Sequence, residues 1–516
     1  MHKNITKIVL PILILVILAA IVFEIIIIKN VINKTDGGKT PDPVNPSEYV
    51  SETYDFGGNE TVTQYRIETE KRINEIRSTT SEIVPEKGGT AYYVSNNGSS
   101  SNDGLSKKTP LATLKDVNKL RLRSGDVVYF ECGGVWRGQL KSTVNGVTYT
   151  SYGKGDKPKF YASPENGSGS KNWEEVAENI YVCKIKSISG DVGSIIFNEG
   201  AYWGIKKIPV EVNGNMVDNA TGEVFSGYKD LKANFDFYHD LYNTGRLYLY
   251  YDGGNPGDVF DSIEFNVHSS VILTTADNVT FDNLCVKYCG GMAIGKDTNS
   301  TGLHITNCEF GWIGGSIMTA GKPTRLGNAI QIWGSAYDFI VDNCYFHQIY
   351  DAGVTWQYSS SAPIGKIADG ITISNNVMDY CTYSIEYFFS EGDIKECYMK
   401  NIEFSNNSMW FAGEGLGAQR PKSSAAHIKS WTHANNIASD GYFNITDNIF
   451  AFSKENLLET HSVTGIRPKY SDNVYIQYKG GLLGFTGGLD SGFVFSETNV
   501  TDIFKDATGE VIIIEE

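Results

Sequence analysis

An asparagine or aspartate recurs in one local setting along the C-terminal half of the chain: Asn283, Asn307, Asn343, Asn375, Asn406 and Asp447, at spacings of 24, 36, 32, 31 and 41 residues. Each follows alternating β-branched or aromatic residues and precedes a second short alternation, as in "ITNCEF", "VDNCYF", "ISNNVM" and "FSNNSM". Alternation is the mark of a strand, and Asn or Asp tolerates the left-handed backbone of a tight turn. A shortest period of 24 with variable additions suits stacked repeats that carry insertions on chosen sides. The residues after the turn are Leu284, Cys308, Cys344, Asn376, Asn407 and Asn448. Stacked about 4.8 Å apart, the three asparagines should satisfy one another as an amide ladder. Cys308 and Cys344 should fill the same column as small buried groups.

Composition agrees with a strand-rich chain. Gly (54), Tyr (30) and Phe (25) are abundant, Pro (14) is scarce, and only 20% of residues are charged. A propeller would need blades of about 40–45 residues with their own signatures, and a jelly roll would show no fixed Asn register. The stretch "GGTAYYVSNNGSSSNDGLSKKTPLATLKDVNKLRLRSGDVVYFECGGVWRGQL" (88–140) holds a strand, a polar loop, a short amphipathic helix (Leu111, Leu114, Val117, Leu120) and a second strand. With the Asn repeat, it resembles the entry segment of right-handed parallel β-helix proteins of the pectate-lyase-like superfamily, with no subfamily identified. The resemblance spans about residues 90–500. It implies an all-β, right-handed parallel β-helix whose N-terminal helix caps the first coil and blunts an open sheet edge.

The expected organisation is a membrane anchor (1–29), a linker and short helical stalk (30–87), a cap with first coils and insertions (88–265), and the repeats proper (266–516). Residues 8–28, "IVLPILILVILAAIVFEIIII", form an apolar run of about 32 Å as a helix, enough to cross a bilayer. It is longer than the apolar part of a cleaved signal, so a single-pass anchor with an extracellular body is expected, or a secreted body if cleavage occurs. The hairpin "FDFYHDLYNTGRLYLYYDG" and an irregular insertion at 205–234 are expected before the repeats. The eight cysteines show no zinc spacing. A net charge of −16 argues against nucleic acid as a partner.

The candidate groove follows from a further strand in each coil, aligned on the inward residues Ile330, Val354, Ile385, Leu416 and Leu457. The outward columns are then Gln331, Thr355, Glu386, Gly417, Leu458 and, two residues on, Trp333, Gln357, Phe388, Gln419, Thr460. Insertions at 318–327, 359–369 and 419–440 would wall this face. In the pectate-lyase-like superfamily this face carries catalysis, and the resemblance implies a poly- or oligosaccharide substrate. Trp333 and Phe388, with Tyr358 and Tyr383 nearby, can stack on sugars. Gln331, Gln357, Gln419, Arg420 and His427 can bond hydroxyls.

Glu386, in "SIEYFF", is the one carboxylate of its column and is flanked by aromatics. Desolvation there would raise its pKa and fit it to protonate a glycosidic oxygen. Asp351, in the turn before the preceding strand, is the second carboxylate that most glycosidases require, though it equally suits an Asx turn. Asp369, Glu391, Asp393 and Glu414 are loop alternatives. The adjacent aspartates and Gly-His-Gly of polygalacturonases are missing, and "HIK" (427–429) only faintly resembles their Arg-Ile-Lys. Calcium wants six to eight oxygens, and too few carboxylates line this face to supply them, so no cofactor is expected. The expected function is a cell-surface glycoside hydrolase. The alternatives are a polysaccharide lyase or uronate epimerase using Arg420 or His427, and a non-catalytic sugar-binding or adhesive protein.

Overall fold

The computed structural model describes residues 56–319, 321–358, 366–389, 397–421, 424–431, 436–489 and 492–515. It is predominantly β, with strands paired in three long parallel ladders. The first runs from Ala91–Val94 through Val127–Glu131 and Thr148–Tyr152 to Lys469–Ser471. The second includes Cys285–Cys289, Glu309–Ile313 and Ser408–Ala412 and ends at Glu510–Ile514. The third includes Ile294–Lys296, Ile330–Trp333, Ala426–Ser430 and Leu482–Gly487. Two long strands, Tyr345–Tyr358 and Val377–Phe389, serve the second ladder with their first halves and the third with their second halves.

The Asn register sets this pairing. Asn283, Asn307, Asn343, Asn375, Asn406 and Asp447 all adopt φ between 52° and 58° at the corner between the first and second ladders. Two residues before each lie Phe281, Ile305, Val341, Ile373, Phe404 and Ile445, which pair in sequence and are buried. Alternation therefore places one side chain of each strand in the core and the next on the outer face. The amide ladder is present and longer than expected. Asn376 donates to Asn407 (2.9 Å), Asn407 to Asn448 (2.9 Å), Asn448 to Asn473 (3.0 Å) and Asn473 to Asp506 (2.8 Å). Each of these amides also donates to a backbone carbonyl, those of Val341, Ile373, Phe404 and Ile445. Both amide hydrogens are thus used inside the core, where an unpaired one would cost about 1–3 kcal/mol. Cys308 and Cys344 are buried thiols in the same column.

The helix Leu114–Val117 closes the first end, with a Thr113–Asp116 capping box and with Leu111, Leu114 and Val117 buried against the core. The ladders continue across residues 265–266, because Thr148–Tyr152 pairs directly with Val279–Asp282. Of the intervening chain, Lys159–Tyr161 and Ile272–Thr274 still pair in the second and third ladders, and the part between them builds a side unit of largely antiparallel strands. It contains the expected hairpin, Asp236–Asp240 against Arg246–Tyr250.

Within the expected linker and short helical stalk, Glu60–Ser78 is a helix laid against the second ladder. Arg66 makes two 2.9 Å bonds to Asp379, Arg77 pairs with Glu309 at 3.0 Å, and Ile73 and Ile76 pack on Tyr345 and Val377. Its apolar positions are few because one narrow stripe, helped by two arginines, suffices to dock it.

The expected anchor is corrected. No helix among the described residues is long and apolar enough to cross a membrane, and residues 8–28 lie outside the described residues. The single-pass anchor, the bilayer partner and the extracellular placement built on them are therefore unsupported.

Candidate active site

The third ladder sets by register the face expected to floor the groove. Its inward residues are Ile330, Val354, Ile385, Ile428 and Leu458, and the outward column beside them is Gln331, Thr355, Glu386, Lys429 and Glu459. This corrects the sequence alignment beyond Glu386. Gly415–Gln419 is a 3-10 turn, with Leu416 buried against Tyr350, and the strand after Glu386 comes later, at Ala426–Ser430. In the last coil the sequence alignment was one residue out, which exchanges the two faces of a strand. Glu386 consequently shares its column with Lys429 and Glu459, which form an ion pair with each other.

Glu386 points outward yet is only 4% exposed. Thr355 Oγ1 donates to one carboxylate oxygen (3.1 Å) and the Trp431 indole N–H to the other (2.7 Å). Burial, and then the negative charge of Asp351, push its carboxyl up to about 7; the Trp431 and Thr355 bonds and the Arg420 charge oppose them. The strand pairing shifts register between Ile349 and Ala352, and that irregularity carries Asp351. Asp351 is buried and ion-pairs with Arg420, whose guanidinium lies 5.2 Å from the centre of the Tyr383 ring. Burial, the largest cause, disfavours the charged Arg420, but Asp351, Tyr383, Glu386 and Tyr350 together outweigh it and hold the guanidinium above its usual range. Glu386, Asp351, the Arg420 cation and the Tyr383 and Trp431 rings thus meet across neighbouring strands.

The other expected residues fall into two groups. Gln331 and Gln357 lie beside this centre, joined at 3.3 Å, and Asn328 donates to Gln331 (2.7 Å) while accepting the Ala352 N–H (2.9 Å). Trp333 and Phe388 are half-buried at the rim; Trp333 meets Tyr358 at 6.1 Å and Phe388 meets Trp431 edge-on at 6.5 Å. Gln419 and His427 are placed otherwise. The Gln419 amide binds Gly204 O (3.0 Å), Lys206 N (3.1 Å) and Arg325, so it ties the turn to the side unit instead of reaching a substrate hydroxyl. His427 is fully buried, its Nε2 3.2 Å from the Ala451 carbonyl, and burial lowers its pKa to about 3. It is neutral and enclosed, which removes it as a hydroxyl ligand or a base. Asp369 lies on the first ladder, accepting from Asn401 (2.7 Å). Glu391 and Asp393 lie outside the described residues, and Glu414 begins the Gly415–Gln419 turn.

Three contributors escaped the sequence: Trp431, Lys429 and Asn328. Trp431 carries a usable signal, because "HIKSW" continues the alternation and places Trp431 two residues beyond Lys429, as Phe388 lies two beyond Glu386. Asn328 has none, since its role depends on a crossing between coils. Among the described residues, no cluster of three or more His, Cys, Asp or Glu side chains is arranged for a metal ion.

No family model and no curated protein matches the chain. Among solved structures, it overlaps one titled as a complex of XylC with xylose (12% identity, 82% of this chain and 83% of that one, TM-score 0.42). It also overlaps one titled glycoside hydrolase (11%, 75% and 94%, TM-score 0.44) and one titled rhamnogalacturonan lyase (12%, 76% and 75%, TM-score 0.38). At these levels the likeness says nothing of activity.

Proposed function

We propose that the three ladders are the faces of a right-handed parallel β-helix, and that the chain is a glycoside hydrolase acting on a poly- or oligosaccharide in the groove over the third ladder. The observation that carries the reading is the Glu386–Asp351 pair: a carboxyl group pushed up to about 7 by burial and by a neighbouring carboxylate, with a second carboxyl group beside it. A general acid should hold its proton near the working pH and release it in the transition state. Glu386 donates that proton to the glycosidic oxygen as the bond to the anomeric carbon breaks, and the bonding pair leaves with the oxygen. Asp351 supplies the second role, either accepting a proton from the attacking water or attacking the anomeric carbon itself. Arg420 holds Asp351 in place and Trp431 orients Glu386, while Trp333 and Phe388 offer ring faces at the rim.

The test is a panel of neutral and acidic polysaccharides incubated with the purified protein. New reducing ends without ultraviolet-absorbing unsaturated ends, abolished in Glu386→Gln, are expected. Unsaturated ends would mark a lyase. Binding without any cleavage would mark an adhesive protein.

A further inference from the structure

A second concavity of about 340 Å³ lies on the side unit, within the range of about 300–1,000 Å³ typical of ligand pockets. Three parts of the chain wall it: the strand and loop at 206–211, the hairpin and its loop at 238–243, and Ile317 with Gly321, Lys322 and Pro323. A single buried carboxylate organises it. Asp191 ion-pairs with Lys206, accepts the Ile317 N–H at 2.6 Å and lies 3.6 Å from His239 Nδ1. Lys206 and Ile317, from two of the walls, are thereby fixed to Asp191, and His239, from the third, is tied to the neighbouring Val192 N–H at 3.0 Å, so the cavity is built before any ligand arrives.

The lining has a definite chemistry. His239 is 7% exposed, and its Nδ1 accepts the Val192 N–H at 3.0 Å, so the ring proton sits on Nε2. No described residue accepts from that Nε2, and His239 lines the cavity. Tyr242 is 54% exposed and shares the lining with Pro209, Ile317 and Pro323, so flat apolar surface stands beside a hydrogen-bond donor. Positive charge is not in surplus: Lys206 and Lys207 are paired with Asp191 and Asp236, and Lys322 shares the lining with two carboxylates, Glu211 and Asp240. A polyanion would find no surplus of positive charge here. A neutral, polyhydroxylated ring would find an aromatic face, an imidazole N–H and a mixed polar rim.

We propose that this cavity is a second glycan-binding site, taking one or two neutral sugar units of the chain whose scissile bond lies over Glu386. The identity of the ligand rests on the hydrolase reading; the existence of the site does not. The two places are connected through the fold. Lys206 N–H and Gly204 O, in the strand that enters the cavity wall, are bonded to Gln419, and the adjacent Arg420 grips Asp351. The turn that ends just before Arg420 is thus tied to the cavity wall.

The test is isothermal titration calorimetry of the Glu386→Gln protein with neutral hexasaccharides of glucose, xylose, mannose and galactose, and with hexagalacturonate. A neutral probe should bind at two sites. Adding Tyr242→Ala should weaken one of them by at least about tenfold, the loss of a stacking face, and leave the other intact. Because Tyr242 is exposed, folding should be unaffected; His239→Phe, which removes the buried donor, should weaken the same site. The proposal is overturned if no neutral probe binds at a second site, if both variants bind as their parent does, or if hexagalacturonate alone occupies the cavity. Tyr242-dependent binding in a protein that cleaves no glycan would leave this site standing and remove only the hydrolase reading.

Discussion

Glu386→Gln separates chemistry from stability with opposite signs. The folded protein holds the Glu386 carboxyl at about 7, against 4.5 when exposed. That difference corresponds to about 3 kcal/mol disfavouring the ionised group in the fold. Below pH 4.5 the group is protonated in both folded and unfolded chains, and it contributes nothing to the difference. Between 4.5 and 7 the unfolded chain releases its proton while the folded one keeps it, so stability falls as pH rises, and the full penalty is reached above 7. Glutamine is never ionised. Its oxygen can accept the Trp431 N–H and its amide can donate to Thr355 Oγ1, so both contacts of the carboxyl group survive. Urea unfolding at pH 4 should give nearly equal stabilities for parent and variant. At pH 8 the variant should be ahead by up to about 3 kcal/mol, while glycan cleavage drops at least about a hundredfold. A variant less stable at pH 8, or a difference that does not change between the two pH values, would refute the placement of a desolvated carboxyl at this position.

Arg420→Gln removes the cation that restrains Glu386, so the basic limb of the pH–rate profile should move to higher pH. The same change leaves Asp351 buried beside a carboxyl group and should cost about 3–5 kcal/mol in unfolding measurements. Asn407→Ala breaks the middle of the amide ladder and strands donors of Asn376, and should lower stability by at least about 2 kcal/mol with activity per folded molecule unchanged. Arg66→Ala removes the two bonds to Asp379 and should expose the 60–78 helix to limited proteolysis before the body of the chain is cut.

The Asn register and its alternating neighbours determined the corner between two ladders, the residues facing the core and the amide ladder. Those features depend only on short-range rules: a left-handed turn residue, a period of two, and an amide with two hydrogens to place. The outward position of Glu386 was legible for the same reason, since the alternation in "SIEYFF" lies in an uninterrupted strand. The next coil was not, because the chain inserts the Gly415–Gln419 turn before Ala426–Ser430, and only pairing with Val377–Phe389 decides which segment forms the strand. That choice moved Lys429 and Trp431 into the site and took Gln419 and His427 out of it. Likewise, no local pattern marks Glu60–Ser78 as docked, because its hold on the ladder comes from Arg66 and Arg77 meeting Asp379 and Glu309, more than 200 residues away. Sequence determined what each strand presents to its two faces. The tertiary structure decided which strands are neighbours, and so which side chains share a desolvated space, because electrostatics and packing act across coils that the chain reaches only after long and variable insertions.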